Sequence, residues 1–168
     1  LPRYFNVYSF TKHEFSEFGR FLSKNDNINF IDIQLEMFYG GKNEPDSRFL
    51  NRCKIALKKN EEIPLTEGIQ KRDIVRVEDV IGIISHIISD NRFQGYRKLE
   101  VGSGENASIR EIISFMKETL ESDSSLQFGA VESREGEPDT CADISWYHEI
   151  GFEPVYDFWG GIRDYCFR

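Results

Sequence analysis

With 168 residues, 39% of them hydrophobic and fourteen phenylalanines, the chain is long enough for one domain with a true core, or for one incomplete domain. A net charge of −8 argues against nucleic acid as a partner, because that binding neutralises phosphates with clustered Lys and Arg. No apolar run approaches the roughly 20 residues of a membrane span, and nothing resembles a signal peptide. Cys53, Cys141 and Cys166 are odd in number and lack paired metal spacing, so packed, reduced thiols in a cytoplasmic protein are expected, with no metal site.

The first predicted helix runs from about Asn6 to Leu22, with Tyr8, Phe15, Phe18 and Leu22 along its apolar stripe. Tyr8 and Lys12 lie at i and i+4 within it and share a face. A free phenol, with a pKa of roughly 10, carries protons poorly at neutral pH. A nearby cation favours the phenolate and makes such a tyrosine a usable general acid or base. The plainer alternative is a packed tyrosine beside a solvated lysine.

After a polar turn at Lys24-Asn25-Asp26-Asn27, Ile28 to Tyr39 reads as one strand that ends at Gly40-Gly41. Asp46 or Ser47 is the expected N-cap of a second helix, whose apolar face is Phe49, Leu50, Cys53, Ala56 and Leu57. Short extended pieces follow at Ile63 to Glu67 and Asp73 to Val77, then an apolar helix from Val80 to Ile88, in which His86 reads as structural. Lys98 to Val101 is a strand. Ser108-Ile109-Arg110-Glu111 is a capping box that opens a helix with Ile109, Ile112, Ile113, Met116 and Leu120 buried. Leu126 to Val131 is a further strand, Ile144 to Ile150 a short helix stopped by Gly151, and Asp157 the cap of a final helix burying Phe158, Ile162 and Tyr165. Strands alternate with helices, so the class is α/β.

Gly102-Ser103-Gly104-Glu105-Asn106-Ala107 fits a dinucleotide fingerprint between a strand and a helix, with Glu132 ending the next strand. A pyrophosphate loop needs its helix to begin inside the motif, so that free N–H groups face the phosphates. Here the capping box places the helix start after it, and only 36 residues follow Glu132. A tight turn is the expected role of these glycines.

Taken in order, several blocks carry a resemblance. They are Tyr8-Ser9-Phe10-Thr11-Lys12, Leu35-Glu36-Met37-Phe38-Tyr39-Gly40, Gln70 to Val80 with Arg72-Asp73 at its heart, Val101-Gly102-Ser103-Gly104, and Arg134-Glu135-Gly136-Glu137 leading to Gly151-Phe152-Glu153-Pro154. In this order they resemble the C-terminal half of extended short-chain dehydrogenase/reductases acting on nucleotide sugars, the NAD-dependent epimerase/dehydratase family. Within it, the wording around Leu35 to Gly40, Leu65 to Gly68 and Phe128 to Glu132 is similar to CDP-abequose synthase-like 4-keto reductases.

The resemblance implies a Rossmann-like α/β fold with a small α/β substrate-binding domain and the N-terminal cofactor half absent. Residues 1–41 would end the nucleotide-binding domain, and 42–168 would mainly form the sugar-nucleotide domain. It implies that Tyr8 exchanges a proton with the sugar C4 oxygen and that Lys12 holds the nicotinamide ribose, with Leu35 and Met37 beside the NAD or NADP cofactor. Arg72 would contact the substrate diphosphate and Arg134 the nucleotide end. Arg suits both roles, because its planar fork pairs well with phosphate.

The chain departs from the family's pattern at Gln34, Met37 and Gly41, where Arg, Asn and Pro are usual; Met37 supplies no amide to a substrate. Asp73 and Asp79 read as turn or cap residues. A partial chain of this kind is expected to lack turnover on its own. Its strand edge, left exposed, predicts self-association. The alternative function is a binding or interaction module that keeps the fold without the chemistry.

Overall fold

The computed structural model describes residues 7–90, 92–134 and 136–168. Helix α1 (Val7–Asp26) covers the predicted first helix, except for Asn6, which lies outside the described residues. The helix docks along one edge of the predicted aromatic stripe, where the Phe15 ring meets Phe30 edge-on with centroids 5.7 Å apart and Leu22 is half-buried. Gly19 is its only fully buried residue, and a Cβ there would run into the Phe30 ring. The Ser16 hydroxyl donates to Asp32 at 2.6 Å and lies 2.7 Å from the Tyr96 hydroxyl. Small residues let the helix approach the strands closely, while Tyr8 and Phe18 are 69% and 52% exposed.

The strand expected from Ile28 to Tyr39 is two strands, β1 (Phe30–Leu35) and β2 (Met37–Tyr39). The break falls at Glu36. Its N–H still donates to the Val101 carbonyl at 2.9 Å, while its carboxylate accepts the Thr140 hydroxyl at 2.7 Å. That tether turns the chain toward a different partner strand. β1 pairs with β6 (Tyr96–Val101) and β2 with β5 (Ile74–Arg76), both parallel as crossover connections require.

Helix α2 (Phe49–Lys58) is capped by Arg48 rather than by Asp46 or Ser47, with no side-chain cap bond. The Arg48 guanidinium instead donates to the Phe38 carbonyl at 3.1 Å, and Asp46 and Ser47 fall in the preceding turn. β3 (Ile63–Leu65) pairs in parallel with β8 (Leu126–Phe128). β4 (Lys71–Arg72) pairs antiparallel with β7 (Ala107–Ser108); two-residue ladders carry no periodicity to read. Among the described residues these are all two-stranded pairings.

Helix α3 (Val77–Ser89) begins three residues before the predicted start, directly after β5. Helix α4 (Ile109–Thr119) has the predicted capping box, with the Ser108 hydroxyl accepting the Glu111 N–H and the Glu111 carboxylate accepting the Ser108 N–H. Helix α5 is only Tyr147–Ile150, stopped at Gly151 with φ 69°. Helix α6 (Phe158–Phe167) is capped by Asp157, which accepts the Gly160 N–H at 2.7 Å. One core cluster joins α2, α4 and α6 through residues such as Leu57, Ile113, Met116 and Ile162. A second lies under α3 and β6, around Ile83, Val101, Tyr147 and Phe152. Among the described residues no helix is long and apolar enough to cross a membrane.

Candidate active-site cleft

A cleft of about 430 Å³ opens at the carboxyl ends of β3 and β8, lined by residues from β2, α2, β4, α4 and the segment after β8. Its volume lies within the roughly 300–1,000 Å³ of small-molecule sites. The strand ends are where open α/β folds bind ligands. Met37, Phe49, Leu65, Ile109 and Val131 give it apolar walls, while Arg52, Arg72 and Arg134 bring positive charge.

The position of Arg72 is over-determined. Its guanidinium pairs with Glu137 at 3.1 Å and donates to the Lys71 carbonyl at 2.9 Å and to the Pro138 carbonyl. The backbone on either side is stitched to the same segment. The Lys71 N–H donates to the Asp139 carboxylate at 2.7 Å, the Thr140 N–H to the Lys71 carbonyl at 3.2 Å, and the Asp73 N–H to the Thr140 carbonyl at 3.1 Å. Residues 137–140 are thereby fixed in register against Arg72.

Asp73, next in sequence, is fully buried. Its carboxylate accepts the Ser103 N–H at 2.9 Å, the Ser103 hydroxyl at 2.6 Å, and the Gly104 and Ala142 N–H groups at 3.1 Å each. A Cβ at Gly102 would strike this carboxylate. The Ser103 and Gly104 amides of the glycine-rich loop are thus already engaged, and α4 starts beyond the loop at Ile109. Asp73 occupies the seat a pyrophosphate would need. Asp79 does comparable work, accepting the Val155 N–H at 2.7 Å.

The cleft therefore unites Met37, Arg72 and Arg134 and leaves the other sequence-selected residues outside its lining. Tyr8 and Lys12 stand together on α1, the ammonium 5.4 Å from the phenol ring centroid. Leu35 ends β1 opposite Val101 and is partly exposed. Sequence reasoning missed Arg52, Gln70 and Phe49. The one available signal was Arg52 standing three residues after Phe49 on α2, hence on the same face. Glu36, at the strand break, is held above the usual carboxylate range chiefly by burial, with the Thr140 hydrogen bond opposing. Burial pushes the Cys53 and Cys166 thiols up to about 11, while Cys141 is exposed.

Parallel strand pairs with helical crossovers, and an arginine-rimmed cleft at the strand ends, define an α/β domain with a candidate ligand site. The chain belongs to the NAD dependent epimerase/dehydratase family, whose profile matches residues 2–102. CDP-abequose synthases of Salmonella muenchen and of Salmonella typhimurium strain LT2 are 25% and 27% identical to it over 162 residues, matching 95% and 94% of this chain. The chain spans about half the length of these relatives, 55% and 54%. The solved structure of UDP-glucuronic acid 4-epimerase from Bacillus cereus, in complex with UDP-glucuronic acid and NAD, superposes with a TM-score of 0.83 at 23% identity, over 99% of this chain and 54% of that one.

Proposed function

We propose that the chain is the substrate-binding part of an NAD(P)-dependent nucleotide-sugar oxidoreductase or epimerase, with chemistry nearest to a CDP-abequose synthase-like 4-keto reductase of O-antigen dideoxyhexose synthesis. The observation that carries this reading is the cleft whose lining includes both Arg72 and Arg134 beside the apolar Met37. In it, residues 42–168 mainly hold the sugar nucleotide, and residues 1–41 contribute the end of the nucleotide-binding domain. Arg72 binds the diphosphate by charge-assisted hydrogen bonds and Arg134 the nucleotide end. Tyr8 moves the proton at the sugar C4 oxygen, and Lys12, held beside it, binds ribose hydroxyls and favours the phenolate. Leu35 and Met37 flank the cofactor ring.

NAD or NADP, when bound, supplies or accepts the hydride. The Tyr8–Lys12 pair is compatible with the ribose end of such a cofactor, because both residues are exposed and stand together. The Gly102–Ala107 loop does not fit its pyrophosphate, since Asp73 takes the loop's amides. The edge of β1 that has no strand partner among the described residues, and the exposed Phe10, Phe15, Phe18 and Phe21 of α1, support self-association in a cytoplasmic, nucleotide-sugar-binding protein. A binding module without the chemistry is the second reading. It is favoured by Met37, which puts a thioether in the cleft where the family usually has an amide.

Calorimetry with CDP, UDP and dTDP tests the assignment. Arg72→Ala is expected to lose about 1.5–3 kcal/mol of affinity, the worth of a charged hydrogen bond. Unchanged affinity in that variant would remove Arg72 from the site.

A further inference from the structure

Two walls of the cleft are joined by a polar link that lies outside its lining. Met37 stands on β2 and Arg72 on β4. Among the described residues no ladder joins these strands, since β2 pairs with β5 and β4 with β7. The link is Glu36, the residue before Met37, whose carboxylate accepts the Thr140 hydroxyl at 2.7 Å across 104 residues of sequence.

Thr140 is in turn a junction. Its N–H donates to the Lys71 carbonyl at 3.2 Å, and its carbonyl accepts the Asp73 N–H and the Asn106 side-chain amide at 3.1 Å each. Those backbone bonds bracket Arg72 in sequence. The same short segment also holds the Arg72 guanidinium, through the Glu137 carboxylate at 3.1 Å and the Pro138 carbonyl. With only 15% of its side chain exposed, Arg72 takes its direction from these partners.

Glu36 itself is half-buried, and burial raises its proton affinity while the Thr140 hydrogen bond and the charge of Arg72 oppose that rise. Taking a carboxylate partly out of water costs stability unless its bonds offset the loss. Two apolar side chains of the same shape would serve stability about as well. What an apolar pair lacks is direction, because a hydrogen bond fixes both the distance and the angle between two segments.

We propose that Glu36 and Thr140 are positioning residues for the substrate diphosphate, their hydrogen bond setting Arg72 against the wall that carries Met37. The inference rests on the nucleotide-sugar reading of the cleft. Neither residue touches the ligand; both act through Arg72. The planar fork of arginine binds phosphate well only when it is aligned, so losing the link costs affinity at the diphosphate and spares the nucleoside end.

The test is calorimetry with whichever of CDP, UDP and dTDP binds tightest, and with the matching monophosphate. The ratio of the two affinities is the readout, since a merely structural defect lowers both alike. Thr140→Val is expected to lower that ratio about fivefold, the order of coupling within one hydrogen-bond network. Thr140→Ser, which keeps the hydroxyl, and Glu36→Gln, which keeps an acceptor oxygen, are expected to preserve it. Glu36→Ala should match Thr140→Val, and the double variant should lose no more than either single one. An unchanged ratio in Thr140→Val, or additive losses in the double variant, would overturn the proposal while a lowered ratio in Arg72→Ala left the nucleotide-sugar reading standing. A ratio unchanged in Arg72→Ala would overturn both.

Discussion

Asp73→Ala should be among the most destabilising single changes in this protein. The carboxylate accepts from four donors: the Ser103 N–H and hydroxyl, the Gly104 N–H and the Ala142 N–H. Hydrogen bonds to a charged group contribute about 1.5–3 kcal/mol each, and a buried donor left unmade costs about 1–3. The four are not equal. Gly104 is exposed and Ser103 half-buried, so water replaces part of what they lose, whereas the Ala142 backbone is enclosed, with the residue 5% exposed. Relief of the repulsion between Asp73 and Glu36 offsets a further share. The net loss expected is about 3–5 kcal/mol, against a total stability of about 5–15 for a domain of this kind. Asp73→Asn, which keeps one acceptor oxygen, should lose about half as much. Urea unfolding at neutral pH, analysed with a common slope, measures both. The same change removes the tether at Ala142 but leaves the backbone bonds between Lys71, Asp73 and Thr140 in place, so nucleoside diphosphate affinity should fall less than in Arg72→Ala. A loss below about 1 kcal/mol for Asp73→Ala would refute the reasoning, since it would mean that the loop's donors find water as readily as they find the carboxylate.

Gly19→Ala adds a methyl where the Phe30 ring already lies; overpacking of this sort costs about 1–3 kcal/mol, and amide exchange along α1 should accelerate more than along α4. Unchanged exchange in α1 would show that the helix does not dock through Gly19. Glu36→Gln tests the strand break. Because burial holds the folded-state Glu36 above its ordinary 4.5, folding favours the protonated acid, and a destabilising contribution develops as pH rises through 4.5 toward the raised value. The amide variant should therefore match the parent at pH 3 to 4 and exceed it in stability at pH 7; a variant less stable at both pH values would contradict the sign.

The elements that were legible carry their own local chemistry. The α4 capping box and the Asp157 cap are two- and three-residue signals whose hydrogen bonds close within one turn, so they read directly from sequence. The break at Glu36 was not legible, because the polar residue that causes it is satisfied by Thr140, far along the chain. The docking face of α1 was legible only in part, for a related reason. An aromatic stripe at helical spacing signals a buried face, but which face meets the strands was decided by a ring on β1 fitting over Gly19. Arg72 and Arg134 were found through the order of family blocks, while Arg52 and Gln70 joined the cleft only through tertiary packing. The glycine-rich loop shows the limit of a pattern most plainly, since its regular spacing is silent about the carboxylate, thirty residues upstream of Ser103, that fills it.

Glu137 gives the cleft a resident competitor. Its carboxylate already pairs with Arg72 at 3.1 Å, and a tethered group of this kind acts at an effective concentration that reaches the millimolar range on a short flexible link. An incoming diphosphate therefore exchanges one anion for another and does not enter an empty cationic site. On the proposed reading, net attraction is then set by the second negative charge and by the base and sugar on the apolar wall, so free inorganic anions gain little at Arg72. The arrangement filters by size and valence: a ligand must bring more than a charge to displace a partner that never diffuses away.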